Sequence, residues 1–224
     1  MQVDMARIAN SSLSGLNGHM GDMVFYQING VTYARRKPSK RSNTQKKRMR
    51  KSPINERSQG KFSMVHTHLK GLKFAIRFGF QEQVKGARHA YHACGSHTRL
   101  NCFRENGADY HIDPALFKIS TGTLMGAEEA KAVRTEEGIL FTWKDNSGTS
   151  SAQAWDEAFL VIHNPTQKAA VWKELGSFRN KKEYLLKHTF GTSGGDWHAY
   201  LAFSQENRRT KKRKLSDSVY LGVI

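Results

Sequence analysis

Acidic side chains are scarce in this sequence: 19 Asp and Glu face 36 Lys and Arg, a net charge of +17 with histidine neutral. So few carboxylates argue against a two-metal hydrolytic centre, and the excess of cations points to a polyanionic partner. Cysteine is scarcer still. Cys94 and Cys102 are the only two, too few for the multi-bridge framework of a small secreted domain, so a reducing compartment is expected. No apolar run reaches the roughly 18 residues of a membrane helix. The opening Met1-Gln2-Val3-Asp4-Met5 has neither the basic flank nor the apolar stretch of a secretory signal. The expectation is a cytoplasmic protein, with a virion as the alternative setting, and no membrane partner. Hydrophobic residues at 38% and aromatics at 10% suffice for one or two small cores and exclude wholesale disorder.

The charge is unevenly spread. Residues 1–118 hold 21 basic and 7 acidic side chains, whereas residues 119–224 hold 15 and 12. Two segments carry most of the excess. The first is Arg35 to Lys51, where ten of seventeen residues are Lys or Arg and none is acidic. Such density repels itself and predicts an extended, solvated arm. The second is the run Arg208, Arg209, Lys211, Lys212, Arg213 and Lys214, expected on a hairpin loop just before the last strand. Lys211-Lys212-Arg213-Lys214 also looks like a nuclear import signal.

Before the arm, Val24-Phe25-Tyr26-Gln27-Ile28 and Val31-Thr32-Tyr33 flank Asn29-Gly30, the residue pair preferred in a type I′ turn, which predicts a β-hairpin. Gly15, Gly18 and Gly21 recur at intervals of three and read as turn or packing positions, since the Lys-Ser/Thr ending of a phosphate loop is missing. After the arm, Phe62, Val65, Leu69, Leu72 and Ile76 keep helical spacing and predict one amphipathic helix, with a second from about Gln81 to Cys94. From Phe117 onward the pattern turns to short β-rich runs: 139–143, 158–163, 169–172, 184–190, 197–203 and 219–224. Turn signals separate them, and alternation along 139–143 and 197–203 gives each of those strands one face to bury. The expected class is α+β. Residues 1–115 would hold the glycine-rich hairpin, basic arm and helices, and residues 116–224 an antiparallel β-sandwich of immunoglobulin or fibronectin type III kind.

Several segments taken together resemble a known family. They are Ser14-Gly15 through Gly21, the hairpin ending in Tyr33-Ala34-Arg35-Arg36-Lys37-Pro38, and Thr44-Gln45 before a basic stretch. The second half adds Phe141-Thr142-Trp143-Lys144-Asp145-Asn146-Ser147-Gly148, Leu160-Val161-Ile162-His163-Asn164-Pro165, Tyr200-Leu201-Ala202-Phe203 and Ser218-Val219-Tyr220-Leu221-Gly222. In this order they are similar to an uncharacterised bacterial domain family of unknown function. That resemblance implies an architecture and no activity. The front half also resembles short proteins found in phage and prophage genomes, which implies a virion or mobile-element role by analogy. The arm and the Arg208 to Lys214 run look more basic than the family pattern.

Chemistry-bearing residues can be weighed in the same way. His89, His92, Cys94, His97 and Cys102 are the densest group of metal-ligand types and make a zinc site the alternative to a histidine-rich basic surface. No Cys-x-x-Cys is present and the histidines are unevenly spaced, so no metal or other cofactor is expected. Cys94 with a nearby histidine, or Ser193 with His198 and Asp196, would be candidate nucleophile systems. Neither sits in a supporting motif, and no enzyme activity is expected. Polyanion binding has the stronger warrant, because clustered cations release counterions from a phosphate backbone without reading its sequence. The expected phosphate contacts are Arg35, Arg36, Lys37, Lys40, Arg41, Lys46, Lys47, Arg48, Arg50 and Lys51, with Arg208, Arg209, Lys211, Lys212, Arg213 and Lys214 as a second contact. Tyr26 and Tyr33 would stack on unpaired bases. The expected partner is DNA, RNA or a nucleoprotein particle. The rival reading is a phage-like component of a homo- or hetero-oligomeric assembly, held by protein contacts.

Overall fold

In the computed structural model every named strand pair among the described residues is antiparallel, with one isolated parallel bridge, Leu124 to Ser216. The structure describes residues 5–8, 14–28, 30–50, 52–86, 88–107, 109–188, 195–207 and 209–224. Asn29, Lys51, Ser193 and Arg208, all named above, therefore lie outside the described residues. The chain divides into two compact units, Met1–Gln59 with Val84–Arg88, and Gly60–Gln83 with His89–Ile224.

The first unit is a four-stranded sheet followed by helices. Strands β1 (Met5–Ile8), β2 (Gly18–Met20), β3 (Met23–Ile28) and β4 (Val31–Arg36) pair in the order β1-β4-β3-β2. The predicted hairpin is β3-β4. Ile28 pairs with Val31 across a two-residue connection, and Gly30 has φ +76°, as the second position of a type I′ turn requires. Phe25, Thr32, Tyr33 and Ala34 are its buried positions.

The basic segment that follows corrects the expected extended arm. Arg35 and Arg36 end β4, and residues from Asn43 to Arg50 form helix α1. A capping box starts it: Gln45 N donates to Ser42 Oγ at 3.2 Å, and Ser42 N donates to Gln45 Oε1 at 3.2 Å. Self-repulsion between neighbouring cations favours extension, but the cap outweighs it here. The Ser42-Asn43-Thr44-Gln45 spacing is the helix start.

Helix α2 (Pro53–His68) leads into the second unit, followed by α3 (Lys73–Gly79) and α4 (Ala90–Asn101). The single helix expected over 62–76 is therefore two. Gly71 interrupts it with φ +84°, and a Cβ there would stand 2.3 Å from the carbonyl oxygen of Lys168. Its stripe still faces inward: Val65, Leu69, Leu72 and Ile76 are all buried, and only Phe62 is exposed. The helix expected over 81–94 is shifted. Gln81–Gln83 is a single 3₁₀ turn, and α4 runs on to Asn101.

The strands of this unit are β5 (Phe103–Asn106), β6 (Asp109–Ile112), β7 (Glu128–Arg134), β8 (Gly138–Lys144), β9 (Glu157–Asn164), β10 (Ala169–Lys173), β11 (Glu183–Lys187), β12 (His198–Glu206), β13 (Arg213–Leu215) and β14 (Val219–Val223). Strands β5 and β6 form a hairpin, and β11-β8-β7 a three-stranded sheet. The largest sheet has the order β10-β9-β12. The free side of β12 takes β14 beside its first residues and β13 beside its last.

Two buried clusters lie on opposite faces of that sheet. Phe159, Val161, Tyr200 and Ala202 join Leu69, Leu72, Ile76, Phe80 and Cys94 of the helical segment. Ala158, Leu160, Ile162, Ala199, Leu201 and Phe203 join Ile139, Phe141, Trp143 and Leu186 of the three-stranded sheet. Strands β9 and β12 thus bury both faces, where sequence alternation had given 197–203 only one. Tyr200 is the reason, because its ring is buried while its hydroxyl donates to Pro114 O at 3.1 Å. The boundary expected at residue 115 does not match this packing either. The helices after Gly60 share a core with β9 and β12.

One buried ion pair organises two loops of this unit. The Arg179 and Asp156 side chains have no exposed surface. Arg179 Nε donates to Asp156 Oδ2 at 3.1 Å, NH1 to Asn146 Oδ1 at 2.5 Å and Gly126 O at 3.1 Å, and NH2 to Met125 O at 2.9 Å. NH2 also lies 3.1 Å from Asp156 Oδ2, and the guanidinium stacks 3.7 Å from the Phe203 ring centroid. Every donor of the guanidinium fork is matched, as burial of such a charge demands.

Candidate nucleic-acid interface

The cations of the first unit are displayed by two elements. Strand β4 ends in Arg35 and Arg36, both exposed, and Lys37, Lys40 and Arg41 continue the surface to α1. Every described side chain of α1 is exposed, including Lys46, Lys47 and Arg48; the side chain of Arg50 is not described. Arg36 approaches Asp22 at 3.9 Å with both side chains largely in water, a pair worth little. Lys37 Nζ donates to Gly21 O at 3.0 Å. Among the described residues Lys40, Arg41, Lys46, Lys47 and Arg48 have no ion-pair partner. Arg41 and Arg48 line an open groove with Ser39, Gln45, Met49, Ser52 and Asn55, in which no side chain is acidic.

The tyrosines expected to stack on bases are placed otherwise. Tyr33 is 7% exposed, and its ring lies 5.9 Å from that of Tyr26 at an interplanar angle of 22°. Tyr26 is half-buried and has the Arg35 guanidinium 5.9 Å from its ring centroid. The pair therefore packs the hairpin. That corrects Tyr33 as a base platform, since a buried ring has no face to offer.

The second basic segment is a hairpin of its own. Glu206 pairs with Arg213 and Gln205 with Lys214, so the last two cations stand on β13 rather than in a loop. Arg213 is committed to the fold: NH1 donates to Glu157 Oε2 at 2.7 Å, and NH2 to Glu206 Oε2 at 2.8 Å. Arg213 is half-buried, which corrects it as a phosphate contact. Lys211 lies 3.6 Å from Glu206 with its side chain 76% exposed, and Arg209, Lys212 and Lys214 are exposed.

The histidine and cysteine group does not converge. His89 and His92 are exposed with rings 5.7 Å apart, while Cys94 and Cys102 are buried. His97 is half-buried, with Nδ1 3.7 Å from Cys102 Sγ. Among the described residues no three His, Cys, Asp or Glu are grouped to hold a metal ion. Burial pushes the Cys102 thiol up to about 11 and the Cys94 thiol higher still, so neither offers a thiolate at neutral pH. His198, the base of the other candidate system, has Nδ1 2.9 Å from the Tyr220 hydroxyl.

Sequence reasoning passed over the exposed aromatics Phe74, Trp155 and Phe178. Trp155, in Ala154-Trp155-Asp156, and Phe178, in Ser177-Phe178-Arg179, belong to no apolar period, so the pattern carries no signal there. It also passed over a groove of about 440 Å³ between α2 and α4, lined by Phe62, His66, Tyr91, His92, Arg99 and Leu100 among others.

Fold and surface together define a basic α+β protein that displays cations on an exposed capped helix and on a β-hairpin. The chain belongs to DUF6266, a family of unknown function, whose pattern matches residues 15–222. Searches of curated proteins and of solved structures find no match. No helix among the described residues is long and apolar enough to cross a membrane.

Proposed function

We propose that this protein is a non-enzymatic nucleic-acid-binding protein that holds a phosphate backbone through its exposed cations. The observation that carries the reading is the run from Lys40 to Arg48, five described Lys and Arg side chains without an ion-pair partner on the solvent face of the first unit. Cations held in this way gain by displacing counterions from a polyanion, and the binding is blind to sequence. The finer architecture belongs to the same reading. We take the sheets that share the Ile139, Phe141, Leu160 and Phe203 core as an immunoglobulin- or fibronectin-like sandwich.

The test is fluorescence anisotropy of labelled DNA and RNA titrated with protein across a salt series. If 6 to 10 phosphates are engaged, affinity falls on the order of a thousandfold to a hundred-thousandfold between about 50 and 200 mM salt. The triple variant Lys46→Glu, Lys47→Glu, Arg48→Glu lowers affinity and flattens the salt slope. A salt-independent affinity, or a triple variant that binds as tightly as the parent, overturns the reading.

A second reading, a particle component held by protein contacts, draws support from a different observation. Phe62 and Leu100 are exposed and line the α2–α4 groove, and exposed apolar patches accompany protein interfaces. A defined oligomer in light scattering at 1 M salt, free of nucleic acid, would move this reading to first place.

A further inference from the structure

We infer that the second unit carries a stacking platform for single-stranded nucleic acid, formed by Trp155 and Phe178 beside the basic β12–β13 hairpin. The inference rests on the polyanion-binding reading and adds to it a substrate class and a binding mode.

Trp155 is 57% exposed and Phe178 47%. A tryptophan left this open forgoes much of its burial energy. Backbone contacts join the two loops: Asn180 N donates to Ala154 O at 3.2 Å, Arg179 N donates to Asp156 O at 2.8 Å, and Glu157 bridges to Phe178. The Arg179–Asp156 pair then locks them, because Asp156 Oδ2 also accepts from Gln153 N at 2.9 Å. Rings on loops fixed in this way lose little freedom when a ligand arrives.

The cations are brought to the same end of the sheet. Gln205 Nε2 donates to Asp156 Oδ1 at 3.0 Å, and Gln205 is the strand partner of Lys214. Glu157, next to Asp156, accepts from Arg213. The Glu157 and Glu206 carboxylates are taken up by Arg213, which leaves Arg209, Lys212 and Lys214 exposed without an ion-pair partner among the described residues. Lys181 and Lys182, three and four residues past Phe178, add two exposed cations.

Flat rings flanked by cations fit one ligand chemistry best: unstacked bases joined by phosphates. A duplex keeps its base faces covered and offers the rings nothing, whereas a single strand offers both. The occupant is therefore a single strand. A duplex and a protein are outcomes the test distinguishes.

The probes are a fluorescent oligothymidine of about 12 nucleotides, the same length as duplex, and heparin as a polyanion without bases. Base–aromatic stacking is worth about 1–3 kcal/mol per base. Trp155→Ala and Phe178→Ala are thus each expected to weaken oligothymidine binding on the order of 5- to 150-fold, leaving heparin and duplex affinities unchanged. Both side chains are exposed, so the variants fold, and unchanged heparin binding checks that directly. Lys212→Glu with Lys214→Glu is expected to weaken all three ligands together. Oligothymidine binding that neither aromatic variant changes overturns the platform while the polyanion reading stands. Equal losses for oligothymidine and heparin overturn it too, as a structural effect. A parent protein that binds none of the three probes overturns both.

Discussion

The Arg179 guanidinium has no exposed surface, and its neighbours show what such a charge needs. Desolvation pulls its guanidinium down while Asp156 pushes it back up. A charge with no exposed surface survives only if its partners stay in place. Arg179→Met removes the cation and leaves the Asp156 carboxylate buried, with Gln205 Nε2 and Gln153 N as its remaining donors. Breaking a buried pair from one side costs about 3–5 kcal/mol. Urea unfolding of this variant is expected to show a loss of that size, and Asp156→Asn a smaller one, because the amide oxygen still accepts from Arg179. A Met variant as stable as the parent would mean that the pair contributes nothing net. The same residue shows what sequence could not supply. Arg179, in Ser177-Phe178-Arg179-Asn180, belongs to no apolar period and looks like surface, because its four acceptor partners come from distant parts of the chain.

At the scale of elements, α1 depends on its cap. Its described side chains are all exposed, so no tertiary burial holds it, and helices this short are marginal in water. The Ser42–Gln45 exchange satisfies two amides, and at the other end Asn55 Nδ2 donates to Met49 O at 2.8 Å. Ser42→Ala removes about 1 kcal/mol of helix stability. Hydrogen exchange of the amides from Lys46 onward is then expected to accelerate about fivefold, with the thermal midpoint of the whole protein unchanged. A shifted midpoint would show that α1 is packed against something. Elements with a hydrophobic period were legible: the β3-β4 hairpin, the Val65 to Ile76 stripe, and β8, β9, β10, β12 and β14. Those without one were missed. Strand β7 shows Glu128, Glu129, Lys131 and Arg134, and β13 is Arg213-Lys214-Leu215; both are set by pairing with a neighbour rather than by their own pattern. For the candidate interface, the positions of the cations were legible, but their setting was not. Only the fold shows Arg213 paired with two carboxylates and Tyr33 buried.

Across the whole molecule, stability should depend on pH through histidines of the second unit. The His68 and His163 rings meet edge to face at 4.9 Å, both are buried, and His68 Nε2 has no hydrogen-bond partner among the described residues. Desolvation, with His198 nearby, holds His68 down to about 4. Desolvation and the adjoining His68 hold His163 down to about 3. Burial lowers His198 as well. An unfolded chain takes up protons on these histidines near their ordinary 6.5, while the folded chain refuses them until much lower pH. Stability is therefore flat above about pH 6.5 and falls as pH drops toward 4. The limiting slope is about 1.4 kcal/mol per pH unit for each histidine. The carboxylates held low, Asp113, Asp145 and Asp217, act on the same sign but only below about pH 5, where unfolded carboxylates begin to protonate. The window from 6.5 to 5 isolates the histidines. Urea midpoints at pH 7.5, 6.5, 5.8 and 5 should stay level between the first two and then decline. In His163→Leu the decline should lose roughly one histidine's share of that slope. An unchanged slope in the variant would mean that His163 is protonated in the folded protein after all, with its ring reaching water the buried geometry denies it.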